Sequence, residues 1–295
     1  MERALPSDGF AAIELLYKSS EKACDFSWNS VPWPLASEFI KKKADGDGRS
    51  SEYSVDGSRG GTCLIINIAR IKDASSDASV SNQREGSTRD VDRIHGTFDR
   101  LGFQVSCHPD PPASQIISIL EEEVNKSEED LGCFVCWIMT HGVNGAIKGA
   151  DGQEINLNRL PGILNTPSLK GKPKLFFIQA CQADETETST RHWGCNIPTY
   201  PDFLFSFATT PGYMAWRSTE KGSIYVEAIC NAFEKSFNAV DKMDVTEVLN
   251  SAARQVAIEF ETQSSDAQFT GCKQALCYFS TLTQSLYLTP PNQSA

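Results

Sequence analysis

The chain has 295 residues, 40% of them apolar and 22% charged, and acidic side chains outnumber basic ones 38 to 27, for a net charge of −11. A chain of this size can bury an adequate core without disulfide or metal staples, and its acidic balance argues against coating a nucleic acid or binding an anionic membrane surface. The first 61 residues differ from the rest. Met1–Phe10 lacks the basic-then-apolar layout of a secretory signal, and Phe10–Tyr17 could form one short amphipathic helix. Pro32, Pro34, the Lys41–Lys43 run and the Gly/Ser/Asp-rich Asp45–Gly61 then read as linker. Residues 1–61 are therefore expected to be a flexible pro-segment and linker.

From Thr62 onward short apolar runs alternate with amphipathic stretches. Cys63–Ala69 reads as a strand. After a Ser/Asp-rich loop, Arg70–Arg89, helical spacing sets Val91, Ile94, Phe98 and Leu101 on one face. Phe103–Ser106 is a short strand, and Ile116, Leu120 and Val124 mark a second helix with an acidic face. Further strands are expected at Cys133–Thr140, Ile147–Ala150, Lys174–Cys181 and Phe203–Thr209. A weak helix follows at Leu157–Leu164 and strong ones at Ile224–Phe237 and Val245–Phe260. Leu276–Ser280 and Leu286–Leu288 read as closing strands. The alternation implies an α/β fold with a mainly parallel sheet covered on both faces. No apolar run approaches about 18 residues, so no membrane-spanning helix is expected.

The ten cysteines show no framework spacing and are expected to be reduced thiols in a cytoplasmic protein. Cys133 and Cys136 form a CxxC inside a strand, where positions three apart point to opposite faces. They are expected to be buried structural thiols rather than a metal or redox pair, which would need a turn. The acidic clusters Glu121–Glu123 and Glu128–Asp130 fit a solvated helix face and end, so no metal is expected, nor any other cofactor.

Reactive groups in parallel α/β sheets collect beyond the carboxyl ends of strands. Two strands end on such groups, one at His141 and Gly142, the other at Cys181. There are four histidines. His95 lies on an amphipathic helix, His108 opens a Pro-rich turn and His192 sits in a Thr/Ser-rich loop, which leaves His141 as the base. Cys181, flanked by Gln179 and a polar loop, is the candidate nucleophile.

The run Phe176, Phe177, Ile178, Gln179, Ala180, Cys181, Gln182 resembles the nucleophile signature of caspases. Further blocks follow the caspase order: Cys63–Asn67, Gly86–Phe98, Met139–Gly142, Lys172–Lys174, Pro211–Tyr213, Trp216–Arg217 and Asp266–Phe269. The resemblance implies a caspase-like six-stranded, mostly parallel sheet with helices on both faces over residues 62–289. Within that span it implies a large subunit of about 62–183, a linker 184–200 and a small subunit of about 201–289. It further implies a cysteine endopeptidase that cuts protein substrates after Asp, in apoptosis or related signalling. Cys181 would attack the carbonyl, His141 would protonate the leaving amine, and the backbone N–H groups of Gly142 and Cys181 would hold the oxyanion. Arg84, Gln179 and Arg217 would bind the Asp carboxylate, and Met214, Trp216 and Phe269 would wall the neighbouring subsites. The expected partners are such substrates, a second copy or another caspase in a dimer, and inhibitor or adaptor proteins.

The chain departs from the family pattern at Gln182, where Arg is commoner, at Ala183, where Gly is expected, and at Ala215, where many relatives have Ser. At Ala215 the backbone is expected to make the contact, so that exchange should matter little. The linker is poor in aspartates. Asp184 lies three residues past the nucleophile and Asp202 abuts a strand, so Asp56, ending Tyr53-Ser54-Val55-Asp56, is the better processing candidate beside Asp184. Activation by dimerisation with little linker processing is therefore expected. A catalytically weak homologue serving as a regulatory or decoy dimer partner is the alternative that Ala183 and the linker favour. A relative that cuts after Arg or Lys would need an acidic pocket, which Arg84 and Arg217 oppose.

Overall fold

Short runs of β-branched and aromatic residues favour extended chain, and the amphipathic stretches between them must cover what those runs bury. In chain order the strands are β1 (Gly61–Asn67), β2 (Phe103–Pro109), β3 (Cys133–Met139), β4 (Gly142–Val143), β5 (Ala146–Lys148), β6 (Glu154–Asn156), β7 (Lys174–Gln179), β8 (Phe203–Phe207), β9 (Arg217–Ser218), β10 (Gly222–Ser223) and β11 (Cys277–Ser280). The helices are α1 (Ser87–Arg100), α2 (Ala113–Lys126), α3 (Leu160–Leu164), α4 (Ile224–Phe237) and α5 (Val245–Glu259). The computed structural model of the chain describes residues 51–55, 61–71, 84–126, 131–143, 145–182, 200–237, 239, 242–262 and 270–291. Expectations for Phe10–Tyr17, most of the Arg70–Arg89 loop, Asp56, Ala183, Asp184, Phe269 and the linker up to residue 199 fall outside them.

Six strands form one sheet in the order β11-β8-β7-β3-β1-β2. Four of its five pairings run parallel, and at the edge β11 lies antiparallel to β8. Helices cover both faces, as expected. On one, Cys63, Ile65, Trp137 and Phe177 pack with Ile94 and Phe98 of α1, Phe233 of α4 and Leu249 of α5. On the other, Leu64, Ile66, Phe134 and Phe176 pack with Ile116 and Leu120 of α2 and Leu160 of α3. Trp137 stacks on Phe177 with ring centroids 4.4 Å apart, and Phe176 stacks on Phe205 at 4.6 Å across the opposite face. The CxxC divides between these cores, with Cys133 in the first and Cys136 in the second. Burial pushes both thiols up, so they stay protonated packing groups.

The chain ends differ from the sequence reading. Leu286–Leu288 is not a strand of the sheet. It buries Leu286 and Leu288, while the Leu286 carbonyl accepts from the Val245 N–H at 2.8 Å and its N–H donates to Asp244 Oδ2 at 2.8 Å, beside the capping box that opens α5. Its hydrogen bonds thus go to a helix start rather than a neighbouring strand. Ser51–Val55, read above as part of the linker, packs against this same segment. Glu52 bridges Ser285, and the Tyr53 N–H donates to the Ser285 carbonyl at 2.9 Å. The Tyr53 hydroxyl donates to Asp202 Oδ1 at 2.6 Å and accepts from the Thr283 N–H at 2.9 Å. One large ring with a polar tip gives this short segment enough buried area to dock. A peptidase reading Tyr53–Asp56 as an extended tetrapeptide would first have to draw Tyr53 out. Asp202 is itself buried, with a left-handed φ of 68°. Tyr53→Phe removes the hydroxyl but keeps the ring, leaving a buried carboxylate and an N–H short of partners. It should lower stability by about 1–3 kcal/mol, seen as a fall of several degrees in the thermal midpoint.

Candidate active site

β3 and β7 are neighbours in parallel register, with Met139 opposite Gln179. The Thr140 N–H still donates to the Gln179 carbonyl at 3.1 Å. His141 and Cys181, each two residues past that last pair, therefore leave the sheet side by side at its carboxyl edge. The expected strand Lys174–Cys181 ends at Gln179 because the chain must turn out of the ladder to present Cys181. Beyond His141 the chain folds into the small β4-β5-β6 sheet, and the Lys148 N–H donates to the His141 carbonyl at 2.9 Å. This places Gly142, paired with Ile147, at a ladder position whose N–H points away from its partner strand.

Gly142 is also sterically required. A Cβ there would lie 2.6 Å from the Cys181 carbonyl oxygen, 2.9 Å from Ala180 Cβ and 3.0 Å from the Ala146 carbonyl oxygen. The nucleophile's own backbone occupies the space that a side chain would need. Gly142→Ala must push the two strand ends apart, an overpacking cost of about 1–3 kcal/mol. It should reduce turnover about 10-fold or more while the fold survives, as activity against the thermal midpoint would show.

Cys181 is half-buried and faces the segment Tyr213–Arg217. The Gln182 N–H donates to the Tyr213 carbonyl at 3.0 Å, and the Gly212 N–H returns to the Gln182 carbonyl at 2.9 Å. The Ala215 N–H lies 3.4 Å from Cys181 Sγ, and its carbonyl 3.9 Å from the same sulfur. Both contacts use the Ala215 backbone. The Gln182 side chain is fully buried, with Oε1 3.5 Å from the Gly145 N–H. Met214 is exposed and Trp216 half-buried on this segment. The Trp216 N–H is held by Gln274 Oε1 at 2.8 Å, and Gln274 in turn donates to the Ala208 carbonyl at 2.7 Å.

The cationic residues gather behind the nucleophile. Arg84 is buried, its Nη1 donating to Asn67 Oδ1 at 3.3 Å and to the Ile68 carbonyl at 3.1 Å, while its Nη2 has no protein partner among the described residues. Burial first, and then the nearby Arg217 charge, push the Arg84 guanidinium down to about 9. Burial also lowers Arg217, whose Nε donates to the Glu85 carbonyl at 2.8 Å. The charges of Arg84 and Arg217 both reach Cys181. Gln179 is buried, and its Oε1 accepts from Ser223 Oγ at 2.7 Å. Two guanidiniums and an amide beside a thiol can receive a carboxylate in a chain whose net charge is strongly negative. His141, Gly142, Cys181, Arg84, Gln179, Arg217, Met214 and Trp216 thus cluster at one edge of the sheet or on the segment facing it.

The sequence reading passed over Asp90 and Ser223. Asp90 is an acid in the first turn of α1, where it favours the dipole. The available signal was its place on the apolar face of α1, four residues before Ile94 and eight before Phe98. In the folded chain Asp90 is buried, and burial raises its carboxyl to about 6 against the opposing pull of the Ser223 N–H, Arg84 and Arg217.

Comparison with known proteins matches residues 60–287 to the caspase domain family. Chicken (Gallus gallus) caspase-7 is 30% identical over 256 residues, 80% of this chain and 79% of that protein. Cat (Felis catus) caspase-3 is 32% identical over 248 residues, 80% of this chain and 87% of that protein. The crystal structure of caspase-1 from Spodoptera frugiperda superposes with a TM-score of 0.72 at 29% identity, covering 84% of this chain and 97% of that one. The domain match over residues 60–287 and the shared fold agree, and the chain belongs to the caspase family, whose members are cysteine peptidases of apoptosis.

Proposed function

We propose that the chain is a cysteine endopeptidase that cleaves proteins after Asp. The observation that carries this reading is the parallel register of β3 and β7, which delivers His141 and Cys181 together beside Arg84 and Arg217. The substrate's Asp carboxylate enters between Arg84, Gln179 and Arg217, and its main chain lies along Met214–Arg217. Cys181 passes its thiol proton to His141, and Sγ attacks the scissile carbonyl carbon, forming the C–S bond as the carbonyl π electrons move to oxygen. The Gly142 and Cys181 N–H groups hold that oxyanion, each donor worth about 3 kcal/mol of barrier. His141 gives a proton to the departing amine as the C–N bond breaks. It then takes one from the water that hydrolyses the thioester and frees the Cys181 thiol.

The same reading divides the catalytic domain into a large part ending near residue 183 and a small part starting near 201. It pairs two such domains through the edge strand β11, which has a neighbour in the sheet on one side only. Fluorogenic peptides ending in Asp, Glu or Lys test the reading, with Cys181→Ser as control. Cleavage confined to the Asp peptide and lost in the control is expected. No cleavage by concentrated wild-type protein would leave the regulatory dimer partner as the better account.

A further inference from the structure

We propose that Asp90 is the positioning residue of the carboxylate pocket, clamping the segment that carries Arg217 to helix α1 and setting the orientation of Gln179. The inference rests on the endopeptidase reading above. Asp90 Oδ1 accepts the Ser223 N–H at 2.7 Å, and the Ser223 hydroxyl passes on to Gln179 Oε1 at 2.7 Å. Ser223 ends the β9–β10 hairpin, in which it pairs with Arg217. A single carboxylate oxygen therefore holds the strand opposite one pocket residue and, through one hydroxyl, the side chain of another.

Three further observations separate this role from simple helix capping. Asp90, Ser223 and Gln179 are each no more than 3% exposed, so the chain of bonds is closed to solvent. Asp90 Oδ2 and Arg84 Nη2 are both buried without a hydrogen-bond partner among the described residues, although the charges of Arg84 and Arg217 act on Asp90. An unpartnered acceptor on a buried carboxylate is costly in a purely structural group. Finally, Gly222 has a φ of 83°, and a Cβ there would run into Asp90 Oδ1. The hairpin is shaped to let the carboxylate reach it. Glu227 on α4 is the other acid facing Asp90, and its charge opposes ionisation there.

The clamp acts on binding and leaves the reacting groups alone, because Cys181 and His141 are fixed by β3 and β7. Asp90→Ala should raise KM for an Asp-ending peptide about 10-fold or more while kcat stays within about threefold. Discrimination between Asp and Glu peptides should fall with it. Alkylation of Cys181 by iodoacetamide, followed by peptide mapping, needs no carboxylate pocket and should proceed at the wild-type rate. Asp90→Asn keeps an acceptor for the Ser223 N–H and should bring KM back to within about threefold of wild type. Gly222→Ala displaces the carboxylate from the other side and should reproduce the KM defect. It also carries the test should Asp90→Ala fail to fold. A wild-type KM in Gly222→Ala or in folded Asp90→Ala overturns the clamp, as does an Asp90→Asn variant no better than alanine. A wild-type protein that cleaves no Asp peptide removes the endopeptidase reading itself, and this inference with it.

Discussion

Cys181→Ser should lower cleavage of an Asp-ending peptide by at least about 10⁴-fold, the scale on which losing a nucleophile is felt in a cooperating catalytic set. Serine keeps the size and a lone pair, but its hydroxyl gives up a proton far less readily than a thiol. The other described cysteines of the sheet interior, Cys63, Cys133 and Cys136, are buried. His141→Ala should cost a similar amount, and the double variant no more than the worse single one, since each acts only through the other. The thermal midpoint should hold in Cys181→Ser, because the half-exposed sulfur contributes only its long contacts to Ala215. Steady-state rates with active-site titration check the set. Additive losses in the double variant would mean that the two residues do not cooperate.

The second large effect falls on the pocket. Arg217→Ala should reduce kcat/KM for the Asp peptide by about 10²–10³-fold, the usual consequence of leaving a buried carboxylate without its partner. Lysine should recover little, since one ammonium cannot supply the planar fork. Arg217 is the better site for this measurement than Arg84. Its side chain is tied to the fold by one bond to Glu85, whereas Arg84 holds Asn67 and the Ile68 carbonyl together, and replacing it would confuse binding with stability. A peptide with Asn in place of Asp supplies the control. It should be cut poorly by wild type, and Arg217→Ala should nearly erase the preference between the two. If the Asn peptide lost as much as the Asp peptide, Arg217 would be acting on something other than charge.

The parts of the fold most legible in the sequence are those where burial on both sides forces a continuous apolar run. Cys133–Met139 and Lys174–Gln179 are of this kind, and their ends point directly at His141 and Cys181. The helices α4 and α5 were legible because one apolar face recurs over several turns. Features built from one or two residues were not. The β9–β10 hairpin is two short pairs, too brief for any alternation to show. Tyr53 is one aromatic ring in a stretch whose composition otherwise signals linker, and it docks only because the chain end returns to meet it. Leu286–Leu288 has the apolar residues of a strand but spends its hydrogen bonds on the start of α5. Asp90 was hardest, since a first-turn acid has a sufficient local explanation. Only the arrival of Ser223 from 133 positions later gives it another.

The placement of β7 beside β8 bears on what cutting the chain between them could do. These strands share five register pairs and contribute to both cores, and β11 closes on β8 from the far side. Tyr53 adds a separate tie from the front of the chain to Asp202 and Thr283. Peptide continuity between residues 183 and 199 is therefore redundant for holding the sheet together. Severing it would not separate the halves of the sheet. A cut there would act with the architecture of the sheet as its fixed frame.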